Sequence, residues 1–288
     1  MKTGRVFVGR EGFLWLLLLN AFVGTCYGVP GPLEIPHRPF NEILQSHVEV
    51  ERHFEGMREV VDSRVRYAAL RNSETWKNYL KGLAHVSPSY LSSSFEADRK
   101  AFWINAYNAF VLETVVSRYP ISGSATNEYP AKSIRAISDW KSLPHGLAGR
   151  DVTLEEIERK LAGFHDPRVW FAICPAARGG PLLAQRYYQP TNLEEQLEAA
   201  ANRFCYDPRR VKLDQDANEL RVVDYLREYL DEFAAVPQTY PAELSSYPLP
   251  ERALVYFLAQ RFGSAERRFI YERHPRLVFI STDWSLND

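Results

Sequence analysis

Apolar residues recur at helical spacing in "NEILQSHVEVERHF" (41–54) and again in "ETWKNYLKGLAHV" (74–86), and both stretches are expected to be helices. Ser93, followed three residues later by Glu96, has the form of a capping box opening a longer helix. Thr153 and Glu156 repeat that signature for a helix that should stop near Gly163. Asn192 is placed to cap "LEEQLEAAANRF" (193–204), where Leu193, Leu197, Ala200, Ala201 and Phe204 share one face. "DYLREYLDEF" and "ERALVYFLAQRF" are two further amphipathic patterns, the second preceded by Pro250, which suits a first helical turn. Strand signals are fewer. "RVWFAIC" (168–174) is a short apolar run rich in strand formers, "RRVKLDQDANELRVV" (209–223) reads as a hairpin around "DQDAN", and "RLVFIS" (276–281) as a last strand. Helices dominate and do not alternate regularly with strands. The expected class is therefore α+β: a predominantly helical single domain with a small sheet of short strands.

One helix breaks the amphipathic rule. From Ala101 to Leu112, within "KAFWINAYNAFVLETVV" (100–116), every residue is apolar or aromatic except Asn105 and Asn108. At about 100° per residue the two amides lie about 60° apart, on one face. An unpaired amide in a core costs on the order of 1–3 kcal/mol per group, so these side chains must grip something. Two partners suit them: irregular backbone, such as the 117–133 loop or the carboxyl-terminal "DWSLND", or a ligand whose carbonyl or oxyanion accepts from the amides.

The start of the chain is built differently. Lys2, Arg5 and Arg10 precede an apolar run at 13–24, and Cys26 and Gly28 fall at the −3 and −1 positions of a small-residue cleavage site. That order is the order of a secretory signal peptide, expected at 1–28. The run is shorter than the roughly twenty residues a spanning helix needs. Retention as a membrane anchor through 13–24 is the alternative to a secreted or periplasmic product. The Pro-rich "VPGPLEIPHRP" reads as an extended lead-in over 29–40, before a domain at 41–288.

Charge is balanced, with 35 basic against 36 acidic residues and no block of like sign, so the electrostatic footprint of a nucleic-acid binder is missing. No later stretch is apolar for long enough to span a membrane. No Cys-x-x-Cys and no pair of histidines four apart occurs, so there is no metal-site pattern, and no Gly-rich phosphate loop points to a nucleotide cofactor. After the leader, Cys174 and Cys205 are the only cysteines, too few for a disulfide scaffold. Glu155, Glu156, Glu158, Glu194 and Glu195 sit at helix starts, where they complement the helix dipole.

In order along the chain, "AFWINAYNAF", "VTLEEIE", "DPRVWFAI", "LEEQLEAAANRF" and "DWSLN" resemble the family catalogued as domain of unknown function 547, over roughly residues 41–288. The resemblance implies a single domain and marks Asn105, Asn108, Asp283 and Asn287 as family-motif polar residues, the last two in a tail tucked back and held by hydrogen bonds. It also exposes departures. Many members have histidines that would fall on Arg159 and Trp170, and cysteines that would fall on Pro175 and Gly180. Cys174 lies one residue before the usual cysteine position, and on a regular strand such a shift turns a side chain to the opposite face. These residues favour a non-catalytic binding or scaffolding role towards a protein or small-molecule ligand. The alternative is a hydrolase or acyl transferase with Cys174 as nucleophile, which would need a positive field or an imidazole to form its thiolate.

Overall fold

A computed structural model describes residues 37–92 and 95–288. The chain divides into residues 1–34 and residues 35–288, and all the described residues lie in the second unit. The leader expected at 1–28 lies outside them. The lead-in expected to reach 40 gives way at Arg38 to a helix, α1 (Arg38–His47).

The first expected helix is only half helical. Its second half is a strand, β1 (Val48–Glu55), paired antiparallel with β2 (Arg58–Val65) in register from Val48 opposite Val65 to Glu55 opposite Arg58. The reason is local: "VEVERHFE" alternates apolar and polar residues with period two, and Gly56, at φ +62°, makes the tight turn. Two helices follow, α2 (Tyr67–Arg71) and α3 (Glu74–Ala84), with the Ser73 hydroxyl accepting from the Trp76 N–H at the start of α3.

Helix α4 (Glu96–Val116) is the centre of the core, buried on every side from Lys100 to Leu112. Phe95 occupies its N-cap position, and Ser93 lies outside the described residues. Lys100 is tolerated there because its ammonium reaches Asp166 (3.0 Å) and Glu96 (3.2 Å). A short hairpin, β3 (His145–Leu147) and β4 (Arg150–Val152), leads into α5 (Leu154–Ala162). Thr153 caps α5 through the Glu156 N–H, and Gly163 closes it.

Residues 168–174 do not form the expected strand. Pro167–Phe171 is a 3-10 turn opened by the Asp166 carboxylate, and irregular backbone continues from there to the next helix, α6 (Leu193–Tyr206). An apolar run needs burial, and burial without a neighbouring strand to pair with serves equally well. At α6 the Asn192 side chain makes no capping bond; instead Gln196 reaches back to accept from the Gln189 N–H at 2.7 Å.

The hairpin at 209–223 forms as β5 (Val211–Asp214) and β6 (Glu219–Val223). The expected helix at 224–233 is a 3-10 turn over Asp224–Tyr229 followed by α7 (Leu230–Ala234). Helices α8 (Leu249–Ala259) and α9 (Ser264–Arg273) precede β7 (Arg276–Ile280), which pairs parallel with β6. Seven strands are present among the described residues, in sheets of two, two and three. None of the helices among the described residues is long and apolar enough to cross a membrane.

Candidate functional site

Segment 172–188 crosses the face of α4 as largely buried, irregular backbone with no ladder of its own. Peptide groups in that position must be paired from elsewhere, and four long-range devices do much of this, beside the Ser63 hydroxyl at the Leu183 N–H and the Tyr225 hydroxyl at the Ile173 carbonyl. Asn108 donates to the Ala172 carbonyl (3.0 Å) and accepts from the Cys174 N–H (2.8 Å). Asn105 does the same for one residue, donating to the Tyr188 carbonyl and accepting from the Tyr188 N–H, both at 2.8 Å. Each primary amide thus mimics a peptide group and satisfies a donor and an acceptor at once. The held backbone is neither the 117–133 loop nor the carboxyl-terminal tail, the two segments considered from the sequence.

Arg210 is the third device. Only 2% exposed, it donates through Nε to the Gly180 carbonyl (3.1 Å) and through Nη2 to the Arg178 carbonyl (2.9 Å), and it pairs with the Asp207 carboxylate. The fourth is the tail. Leu286 bridges Ala177 antiparallel, the Arg178 and Gly179 N–H groups donate to the carbonyls of Ser285 (2.9 Å) and Asp283 (2.8 Å), and the Asn287 N–H donates to the Ala176 carbonyl (3.2 Å). The Asn287 side chain accepts from the Tyr67 hydroxyl at 2.6 Å, while its amide nitrogen stands 3.9 Å from Cys174 Sγ. Asp283 takes a smaller part: its exposed carboxylate accepts from the Ser285 N–H and closes its own turn. Close approach requires glycine here, because a Cβ on Gly179 would lie 2.5 Å from the Asp283 nitrogen.

Cys174 is sealed beneath these clamps. Burial pushes its thiol up to about 12, against the opposing pull of backbone hydrogen bonds from Ala176 and Leu183 and of the Arg210 charge. Among the described residues, no imidazole hydrogen-bonds to its sulfur. The positions where the family resemblance would place histidine are put to other uses. Arg159 is exposed on α5, and the Trp170 ring is buried, stacked on Tyr229 at 4.2 Å. Where the resemblance would place cysteine, Pro175 and Gly180 touch: a Cβ on Gly180 would lie 2.7 Å from Pro175 Cγ. Cys205 is likewise buried, and neither cysteine is in a disulfide. A carboxylate–imidazole–hydroxyl chain does exist, with His145 between Glu113 (2.6 Å) and Thr114 (3.3 Å). Its ring is stacked on Phe110 in the core, and none of the three residues lines a cavity described here. No group of three or more His, Cys, Asp or Glu residues among the described residues is arranged to hold a metal ion.

The outer face of the same segment is open. Leu182 to Arg186 and Tyr188 form the floor of a cleft of about 390 Å³, with the β1–β2 hairpin as one wall and α6 as the other. That volume falls within the range of small-ligand sites. The hairpin contributes Val50, Arg52, Val61 and Ser63; the helix contributes Gln196, Ala199, Ala200 and Arg203. The alanines matter, because a larger side chain on that turn of α6 would fill the space. Sequence reading missed this cleft. Its wall depends on a hairpin whose first strand was read as helix, and no motif marks its arginines.

Residues 91–205 match the family described as "Protein of unknown function, DUF547". The match runs across α4 with both asparagines, α5, the clamped segment and nearly all of α6. The chain resembles the DUF547 family in the part that holds the floor of the cleft and its α6 wall. The β1–β2 wall and the tail lie outside the matched stretch. No curated protein and no solved structure matches the chain.

Proposed function

We propose that this protein is an exported, non-catalytic binding protein that takes its ligand in the cleft between the β1–β2 hairpin and α6. The observation that carries the reading is the contrast at Leu183. Beneath it lies a thiol shut away from solvent with no imidazole beside it, and above it a cleft large enough for a small molecule. A nucleophilic cysteine needs a thiolate and an approach path, and Cys174 is given neither. Export rests on the basic, apolar and small-residue order of 1–28; the mature chain would begin near Val29, which mass spectrometry of the exported product can read directly.

The test of the binding reading is a panel of chromogenic esters and peptide amides at neutral pH, run with the parent protein and with Cys174→Ala. No turnover distinguishable between the two is expected. Hydrolysis or acyl transfer that disappears in Cys174→Ala, while the variant keeps the parent's melting temperature, would replace the proposal with the cysteine-nucleophile alternative.

A further inference from the structure

The charged side chains that line the cleft are of one sign. Arg52, Arg186 and Arg203 line it and no carboxylate does. Arg52 reaches Glu59 at 3.4 Å across the hairpin, with both side chains largely exposed. Arg186 and Arg203 form no ion pair or hydrogen bond with any described residue, in a molecule where most arginines do. Two amides of the lining are already committed: Gln185 donates to the Val48 carbonyl, and Gln196 bridges the Gln189 N–H and the Tyr187 carbonyl. Two hydroxyls are not. Ser63 accepts from the Leu183 N–H at 3.0 Å, which leaves its own proton free to donate. Tyr188 is 4% exposed, lines the cleft, and its hydroxyl has no hydrogen-bond partner among the described residues. The hydroxyl oxygen is not cut off from solvent, so it is free to donate to a ligand in the cleft. Between these donors the lining is apolar, through Val50, Val61, Leu182, Ala199 and Ala200.

We infer that the cleft binds a small organic anion, a carboxylate or phosphate ester carried on an apolar body, with Arg186 and Arg203 as charge partners and Tyr188 and Ser63 as hydroxyl donors. The inference rests on the binding reading above and supplies its ligand class. A guanidinium fork matches both carboxylate and phosphate oxygens, so the shared chemistry is the oxyanion. The apolar walls account for the remaining surface of the ligand. The volume limits that body to the size of a small metabolite or a medium-length acyl chain.

The test is calorimetric titration of the purified protein with four probes that share one chain: octanoate, octyl phosphate, octanol and octylamine. Octanoate or octyl phosphate should bind, and whichever binds more tightly identifies the head group. Octanol should bind at least tenfold more weakly, and octylamine not at all. Affinity for the anion should fall at least threefold between 50 and 500 mM salt, because exposed charges are screened. Arg186→Ala with Arg203→Ala should lower it at least tenfold, and Tyr188→Phe severalfold, with melting temperatures unchanged. Binding of neither anion, or anion binding undiminished in the double arginine variant, overturns the inference. Octanol binding as tightly as the anions, and lost in Ala200→Trp, would also overturn it while leaving the binding reading intact. Turnover dependent on Cys174 would overturn the binding reading itself.

Discussion

Segment 172–188 has two faces treated in opposite ways. On the inner face, Asn105, Asn108, Arg210 and the tail pair its peptide groups from residues far away in sequence. On the outer face, Arg186 and the Tyr188 hydroxyl have no partner among the described residues, and neither does Arg203, which faces them from α6 across the cleft. The difference follows from solvent. An unpaired polar group in the core costs on the order of 1–3 kcal/mol, whereas an arginine at the surface is hydrated and needs no partner. The inner face is consequently where stability is concentrated, and the outer face is where charges can be kept for a ligand. A rigid floor under an open cleft also means that a ligand need not order the backbone it lands on.

Arg210→Met breaks the inner face most severely. It removes a cation buried against Asp207 together with the donors to Gly180 and Arg178. A loss of about 3–5 kcal/mol is expected, read by denaturant unfolding. A loss below 1 kcal/mol would show that the loop does not depend on this clamp.

Asn108→Leu comes next. It strands the Ala172 carbonyl and the Cys174 N–H, at a cost on the order of 1–3 kcal/mol. Thermal unfolding of the purified variant is the measurement. An unchanged melting temperature accompanied by lost ligand binding would move the amide from the frame to the site.

Gly180→Ala probes the contact between Gly180 and Pro175. The added methyl overlaps the Pro175 ring, and overpacking of this kind costs about 1–3 kcal/mol. Adding Pro175→Ala should recover much of that loss, giving a non-additive double-mutant cycle. Strict additivity would mean that the two positions are not in contact.

The smallest effect belongs to the α6 wall of the cleft. Arg203→Ala should change stability by no more than about 0.5 kcal/mol, because it breaks no bond to a described residue. A larger loss would place Arg203 in the framework and undo the contrast.

The legible parts of this molecule were those with a local signal. Thr153 before Glu156 marked the start of α5, the turn-rich "DQDAN" marked β5–β6, and "RLVFIS" marked β7. Asn105 and Asn108 were also legible, because polar residues in an otherwise apolar helix must have partners. Which partners they hold was not. Ala172, Cys174 and Tyr188 lie 64 to 83 positions away in sequence, and nothing local encodes that pairing. The β1–β2 hairpin was missed because the helical period of 38–47 ran without a break into "VEVERHFE", whose alternation is short. Residues 168–174 looked like a strand because apolar composition reports burial, and burial there comes without a neighbouring strand. Arg210 gave no sign at all; the second of two adjacent arginines, three residues after an aspartate, is ordinary in sequence, and its burial is a property of the fold.

On the binding proposal, the open cleft and not the sealed thiol is the functional face of segment 172–188. The most direct test of that proposal is the rate of Cys174 alkylation by iodoacetamide, followed by peptide mapping, in native and unfolded protein from pH 6 to 10. With its pKa raised to about 12 by burial, the native thiol is neutral across that range. The sign is that of a raised acid: thiolate appears only as pH climbs towards 12, so native labelling should stay slow throughout. Unfolded protein should label readily, with a midpoint near the ordinary thiol value of about 8.5. Fast native labelling of Cys174 with a midpoint well below pH 7 would contradict the account, because it would require an activating partner and a path to the sulfur.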